Sequence, residues 1–242
     1  MTTISTLKEL NETLKKIPRR NLKDQMNSIR ELFCYLSPVP IKHNTIELRA
    51  SSIHGKGVFA TEDIPKDTII TYYPAHAITE NGKFIPNDKD PDFIKNREEI
   101  CRHYGQYISL PENIELIGNP NNTSNHLLLG HMINDPVGNV YKNVNFEDTK
   151  DLTKYKNLVA EYYIQGSKKR NSKIVFDEKN IVAAVISTKE IKKDEEILMY
   201  YEPQYWFNIN YGTSNVIGNH GLINLMMLMR DKDFGKWLIE IT

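Results

Sequence analysis

The sequence lacks an excess of charge of either sign. Its 242 residues include 31 Lys and Arg and 31 Asp and Glu, so the formal net charge is zero. Proteins that bind nucleic acid through phosphate contacts need a surplus of positive charge in some part of the chain. Composition therefore gives no argument for direct nucleic-acid binding. The short basic cluster at residues 168–170 is most simply interpreted as a solvated loop.

Long apolar runs and cysteines are scarce as well. No run approaches the roughly 20 apolar residues of a membrane-spanning helix, and the first ten residues lack a signal-peptide core. Only Cys34 and Cys101 occur, which is too few for a structural zinc cluster built of cysteines. We therefore expect an intracellular protein with no membrane association and no metal, in a compartment that keeps thiols reduced.

Apolar residues are plentiful and their spacing changes along the chain. Hydrophobic residues make up 40% of the sequence, which excludes a disordered polymer. Within residues 1–45 they recur at helical spacing, whereas from residue 46 onward short β-type runs alternate with turn residues. The pattern predicts a mainly β fold with helical additions (α+β).

The individual elements can be placed from the same pattern. Polar residues 81–96 predict a long exposed loop, and the basic residues 167–173 predict another. A helix is expected over 154–164, and a closing amphipathic helix or pair of helices near the carboxyl end. The predicted strands are 46–48, 58–60, 68–73, 106–110, 114–117, 174–176, 181–187 and 196–201, with a hairpin joining the fourth and fifth.

Three separated segments contain residues that can carry chemistry. In the first, residues 52–60, Gly55 and Gly57 flank one residue, which lets the backbone turn tightly and leaves amides open to a ligand. This segment lacks the third glycine of a dinucleotide fingerprint and the Gly-Lys-Ser/Thr of a P-loop. Taken alone, it is more simply a turn between strands.

The second and third segments are equally ambiguous by themselves. Residues 130–136 place Asn134 after an apolar pair and before Asp135 and Pro136, a pattern typical of a turn cap. Residues 181–201 predict a strand, a charged turn and a second strand ending in tyrosines. Structural packing would explain each of them.

In order along the chain, the three segments resemble the SET domain of protein lysine methyltransferases. Residues 52–60 resemble that family's Gly-x-Gly opening, and residues 114–119 the strand and Gly-Asn that precede its Arg-Phe-Ile-Asn-His-Ser block. Residues 131–136 stand where the block belongs. Residues 191–201 are similar to the closing Ile-x-x-Gly-Glu-Glu-Leu-x-x-Asp-Tyr strand, which Tyr205 and Trp206 extend. The resemblance implies a SET-domain-like β-clip of several small sheets.

The chain departs from the family pattern at several positions. Backbone contacts to a cofactor tolerate such changes more easily than the orientation of side chains does. The family's Tyr-x-Gly is Tyr73, Pro74 and Ala75 here; its Asn-His-Ser is Asn134, Asp135 and Pro136; its block Arg is His131; its last Asp is Tyr200; and its turn Gly is Asp194.

The resemblance implies S-adenosylmethionine as the methyl donor and an exposed lysine of a protein as the acceptor. Histones are the favoured substrate class by family analogy, and a histone substrate would imply a nuclear location. A lysine with an ordinary pKa of about 10.4 must lose its proton before it attacks, and burial in a narrow apolar channel favours that loss.

The same resemblance assigns roles to individual residues. Met199 stands where the family places an aromatic residue that limits the number of methyl groups, which predicts a site not restricted to monomethylation. The backbone of His54, Gly55, Lys56 and Gly57 would cradle the methionine end of the cofactor; Asn134 and His131 would bind its amine or adenine end; Tyr201 would be the catalytic tyrosine, with Tyr73 lining the chamber; Tyr205 and Trp206 would wall the lysine channel.

The resulting domain prediction has three parts: a helical extension over 1–45, a SET-like catalytic domain over 46–206 with a helical insertion at about 149–166, and a helical tail over 207–242. Two alternatives stay open. The changes at Ala75, Asp135 and Pro136 are compatible with an inactive SET-like scaffold that serves as a binding module. A methyltransferase of a non-histone protein is the other. The sequence does not indicate an oligomeric state.

Overall fold

A computed structural model describes residues 8–9, 12, 45–80, 83–108, 114–137, 152–177, 182–203, 205–206, 233–234 and 236–237. The described chain divides into two compact units. The first unit contains the residues up to Ile133 together with Asn171–Ile197, and the second contains Asn134–Arg170 and the residues from Leu198 onward. Most of the predicted helical extension and helical tail lies outside the described residues.

The first unit holds all nine strands of the described residues, arranged in three antiparallel sheets. The sheets have the orders β1-β2, β3-β9-β8 and β5-β4-β7-β6. The strands are β1 Ile46–Ala50, β2 Lys56–Ala60, β3 Ile69–Tyr72, β4 Ala77–Glu80, β5 Lys83–Pro86, β6 Gly105–Ile108, β7 Ile114–Ile117, β8 Ser172–Asp177 and β9 Val182–Ser187.

Strand composition explains why these segments pair. Every residue of β3 is buried, and β3 lies beside β9, whose middle residues are also buried apolar side chains. Such runs bury both faces, as central strands do. The predicted hairpin is confirmed by β6 and β7, which pair antiparallel with Gln106 opposite Leu116.

Two short helices pack on the four-stranded sheet of the same unit. In α1 (Pro91–Lys95) the side chain of Asp90 caps the first turn by accepting a hydrogen bond from Asp92 N–H at 2.9 Å. In α2 (Arg97–Tyr104) acidic residues occupy the first turn and basic residues the last, as the helix dipole favours. Their buried side chains form one cluster with the sheet: Ala77, Phe93, Ile100 and Ile117.

The second unit is built around α3 (Leu152–Lys169), the longest described helix. Tyr155 and Tyr162 lie on the same face of this helix, about two turns apart, and both are fully buried. This helix corresponds to the insertion predicted at about 149–166. In the described residues no helix is both long and apolar enough to cross a membrane.

Three local predictions are wrong. The expected loop at 81–96 contains β5 and α1, which are four and five residues long and too short for a helical or alternating period to reveal. The expected loop at 167–173 is the end of α3 and the start of β8. The expected strand at 196–201 is an irregular segment with single bridges at Glu196 and Leu198.

Candidate functional site

A rigid, open turn precedes β2 in the first unit. Ser51 N–H donates to the Gly55 carbonyl at 2.9 Å, and the Ser51 hydroxyl accepts from Ile53 N–H and donates to the Glu196 carboxylate. Gly55 has φ of +49°, in the left-handed region that favours glycine, and a Cβ built there would meet no atom within 4 Å. The hydrogen bonds of Ser51 therefore hold the turn, and the space where a Gly55 side chain would stand is open.

His131 lies in the interior of the first unit and is held as a neutral ring. It is 4% exposed, and its Nε2 lies 3.0 Å from the Asn119 carbonyl oxygen. Burial, with the neighbouring His76, lowers the pKa of His131 to about 3. The ring packs against Gly118, where an added Cβ would come within 2.5 Å of the His131 side chain. The Gly118–Asn119 pair thus forms the seat of His131.

Tyr73 belongs to the same group of rings. Its ring meets His131 edge-on with centroids 6.3 Å apart, and His76 and Tyr104 also face the imidazole. The Tyr73 hydroxyl donates to the backbone carbonyl of Tyr104. The structure therefore places Tyr73 against His131, whereas its predicted place in the chamber of Tyr201 stays a prediction.

Asn134 begins the second unit and is joined to the closing segment. It forms a parallel bridge with Leu198, and its carbonyl accepts a hydrogen bond from Met199 N–H at 3.1 Å. Asn134 and Met199 are both buried. Two predicted site residues from segments that lie far apart in sequence are thereby neighbours.

Asp135 is the centre of a hydrogen-bond network in the second unit. Its Oδ2 accepts from the Tyr201 backbone N–H at 2.8 Å, from the Trp206 indole Nε1–H at 3.0 Å and from the Tyr162 hydroxyl. Its Oδ1 accepts from Val137 N–H at 2.9 Å. Burial raises the pKa of the Asp135 carboxyl, although these donors act in the opposite direction.

Three aromatic rings adjoin this network. Tyr201 is stacked on Trp206 with centroids 5.8 Å apart and an interplanar angle of 12°. Tyr205 meets both rings edge-on, at 4.8 Å from Tyr201 and 5.1 Å from Trp206. We call Tyr201, Tyr205 and Trp206 the aromatic group; all three were predicted as site residues.

A left-handed turn at Glu202 closes the aromatic group. Glu202 has φ of +73°, and its carbonyl accepts from Tyr205 N–H at 3.1 Å. The Glu202 N–H donates to the Tyr162 hydroxyl, the same hydroxyl that donates to Asp135. Helix α3 therefore binds Glu202 of the turn directly, and it binds Asp135, which accepts from the preceding Tyr201 N–H.

Sequence reasoning missed the contribution of Asp135 and Tyr162. The sequence indicates Asp135 only as part of a turn and as a departure from the family pattern, and it indicates Tyr162 only as part of a helix. A buried carboxylate needs donors, but three of the four donors to Asp135 lie 27 to 71 residues away in sequence. The Asp135–Pro136 pair gave no local signal beyond a turn.

Other reactive groups offer little chemistry. Burial raises the pKa of the Cys101 thiol to about 11, which keeps it protonated and unreactive at neutral pH. Across the described ranges, no group of three His, Cys, Asp or Glu side chains is arranged to hold a metal ion.

Comparison with known proteins identifies the architecture. The family model of the SET domain matches residues 55–202, which include Gly55 of the open turn, Asn134 and Tyr201. The small antiparallel sheets with few helices are those of a SET-domain-like fold, so the predicted fold class is confirmed. No curated protein matches the sequence.

Several solved structures are similar at low sequence identity. A Plasmodium falciparum protein assigned as a histone methyltransferase is 18% identical over 68% of this chain and 98% of its own, with a TM-score of 0.34. The ATXR5 SET domain, solved with a histone H3 peptide, is 18% identical over 76% and 70%, with a TM-score of 0.38. CpSET8 from Cryptosporidium is 16% identical over 77% and 69%, with a TM-score of 0.39.

Proposed function

Because the chain belongs to the SET-domain family, whose members generally methylate protein lysines with S-adenosylmethionine, we propose that it is a protein-lysine N-methyltransferase that uses this cofactor. One observation carries the proposal. Tyr201, at the end of the matched region, has its backbone amide bound by a buried carboxylate and its ring stacked on Trp206. A tyrosine held in this way is suited to orient reacting groups.

The residues present fit the cofactor that the family uses. The turn at residues 53–56 presents backbone around a glycine with open space where a side chain would stand, which suits the carboxylate end of an amino acid. Asn134 offers a carboxamide that can both donate to and accept from a polar group of the cofactor. The family resemblance assigns each of them to S-adenosylmethionine.

When bound, S-adenosylmethionine supplies a methyl group that is carried on a sulfonium. A neutral amine takes this methyl group as the carbon–sulfur bond breaks. The Tyr201 hydroxyl would orient the lysine nitrogen for this attack. The faces of Tyr205 and Trp206 would attract the methylated ammonium of the product by roughly 0.5–2 kcal/mol. The apolar rings would also favour loss of the lysine proton.

Histones are the substrate class that we propose first, by analogy with the family. A histone substrate would place the protein in the nucleus. The buried Met199 has no hydroxyl and a flexible side chain, so we propose that the product includes more than one methyl group. Mass spectrometry of a methylated peptide after long incubation checks this, and monomethyl product alone would contradict it.

Calorimetric titration of the full chain with S-adenosylmethionine and S-adenosylhomocysteine tests the proposal before any substrate is known. One-site saturable binding, followed by transfer of labelled methyl groups to histones, is the expected result. Transfer to a lysine-rich non-histone protein but not to histones would change the substrate class. Absence of binding up to millimolar ligand would favour the inactive scaffold instead.

A further inference from the structure

We propose that Asp135 is a positioning residue of the methyl-transfer site, whose carboxylate sets the backbone of Tyr201 and the indole plane of Trp206. This inference rests on the proposed function. In the family pattern to which the chain was compared, a histidine occupies this position, so the role belongs to this chain's own residue.

Both oxygens of the buried Asp135 carboxylate accept hydrogen bonds. An ionised carboxylate is only an acceptor and has about four lone-pair sites. Asp135 is 3% exposed, and it accepts four hydrogen bonds: one on Oδ1 from Val137, and three on Oδ2 from Tyr162, Tyr201 and Trp206. A buried carboxylate is costly without donors, and these four donors offset that cost.

An amide or imidazole side chain cannot replace the Asp135 carboxylate. An asparagine side chain has one acceptor oxygen. Its NH2 group would replace the other carboxylate oxygen, and in either orientation of the amide it would face an N–H donor. A histidine ring has at most one acceptor nitrogen. The set of donors at this position therefore requires a carboxylate.

The Asp135 carboxylate holds the two residues whose rings are stacked, Tyr201 and Trp206. Oδ1 alone, with Val137 N–H, would make an ordinary turn cap. Oδ2 is separately engaged by Tyr201 N–H and Trp206 Nε1–H, and these two residues carry the stacked rings of the aromatic group. Asp135 thus fixes the backbone of one ring and the edge of the other.

Helix α3 joins the hydrogen-bond network of Asp135 through the Tyr162 hydroxyl. The Tyr162 hydroxyl donates to Asp135 and accepts from Glu202 N–H at 3.1 Å, so it joins the carboxylate to the turn that follows Tyr201. Loss of this hydroxyl would leave the carboxylate in place with one donor fewer. Tyr162→Phe is therefore a milder test of the same network.

The test uses the ¹⁵N-labelled full chain and two readouts. The sequence has two tryptophans, so the indole N–H resonance of Trp206 is assigned by its presence in Trp237→Phe. A charge-assisted hydrogen bond moves this resonance downfield, and Asp135→Asn should return it upfield. The second readout is the methyl-transfer rate at saturating cofactor, set against the cofactor Kd.

We expect Asp135→Asn to lower the transfer rate at least about tenfold through misplacement of Tyr201, with the cofactor Kd unchanged. Asp63→Asn is the matched control. Asp63 also accepts hydrogen bonds on both oxygens, from Lys193 N–H and from Lys192 Nζ, and it belongs to the first unit. It should leave the Trp206 resonance and the transfer rate unchanged.

A parental transfer rate in Asp135→Asn, or an unmoved Trp206 resonance, would overturn the inference. If Asp135→Asn does not fold, Tyr162→Phe decides: a shifted resonance with slower transfer supports the role, and no change in either overturns it. If the parent chain transfers no methyl group at all, the proposed function fails. The resonance then still reports whether Asp135 holds Trp206.

Discussion

The ring of Tyr200 lies directly over Gly166 of helix α3. A Cβ built on Gly166 would come within 2.1 Å of Tyr200 Cε1, closer than any Cβ can stand. The ring cannot easily yield, because its hydroxyl donates to the Tyr163 carbonyl at 2.9 Å and the Arg170 guanidinium covers it at 4.6 Å. Tyr200 occupies the position where the family pattern has an aspartate, and Gly166 makes room for it.

Gly166→Ala should therefore destabilise the protein. The gain in helix propensity is about 1 kcal/mol, whereas forcing a methyl group into a filled site costs about 1–3 kcal/mol. Urea unfolding measures the sum. In a Tyr200→Ala background the clash is gone, and the same substitution should stabilise. Equal effects in both backgrounds would refute the contact.

Tyr201→Phe should abolish most methyl transfer. The substitution keeps the ring that stacks on Trp206 and removes only the hydroxyl, so we expect a loss of roughly 10²-fold in rate. Labelled-methyl transfer measures it, alongside the cofactor Kd by calorimetry, which should not change. The control is Tyr104→Phe, which removes the hydroxyl of a half-buried tyrosine in the first unit. A parental rate in Tyr201→Phe would contradict the catalytic assignment.

Asn134→Ala should weaken binding of the cofactor. Its backbone carbonyl would still accept from Met199 N–H, so the segment keeps its place while the carboxamide is lost. One or two lost hydrogen bonds correspond to about five- to tenfold in Kd. Calorimetry measures this, with Asn122→Ala as the matched control, since that carboxamide binds Asp88. An unchanged Kd in Asn134→Ala would remove Asn134 from the cofactor site.

The stability of the protein should fall as the pH is lowered through the range set by His131. In the unfolded chain this histidine takes a proton near pH 6.5, whereas in the folded chain its pKa is about 3. The unfolded state therefore binds more protons between these values, and the free energy of unfolding loses up to about 1.4 kcal/mol per pH unit below 6.5.

Urea unfolding of the parent and of His131→Gln at pH 7, 6 and 5 checks this prediction. His76 also has a lowered pKa and acts in the same direction, while the raised pKa values of Glu115 and Asp135 act oppositely. These groups are common to both proteins, so the difference in slope reports His131. The prediction fails if the two slopes coincide.

Much of the candidate site was predictable because its residues stand in an ordered set of segments. Asn134, Tyr201, Tyr205 and Trp206 were identified in this way, and the structure places Tyr201, Tyr205 and Trp206 in one group of rings. The β6–β7 hairpin was predictable from local alternation around a turn. The roles of all these residues in cofactor and substrate binding stay predictions that the experiments above test.

The rest depended on partners far apart in the chain. Helix α1 and strand β5 escaped notice because they are only five and four residues long, too short for a helical or alternating period to show. Asp135 and Tyr162 escaped notice because a hydrogen bond between residues 27 positions apart leaves no mark in local composition.

The sequence by itself determined the family, the fold class and the positions of the chemically important segments, since these follow from the order of short motifs and the period of apolar residues. Only the tertiary structure decided that an aspartate at the family's histidine position accepts four hydrogen bonds. The physical reason is that burial makes a carboxylate depend on every donor around it, and folding alone brings those donors together.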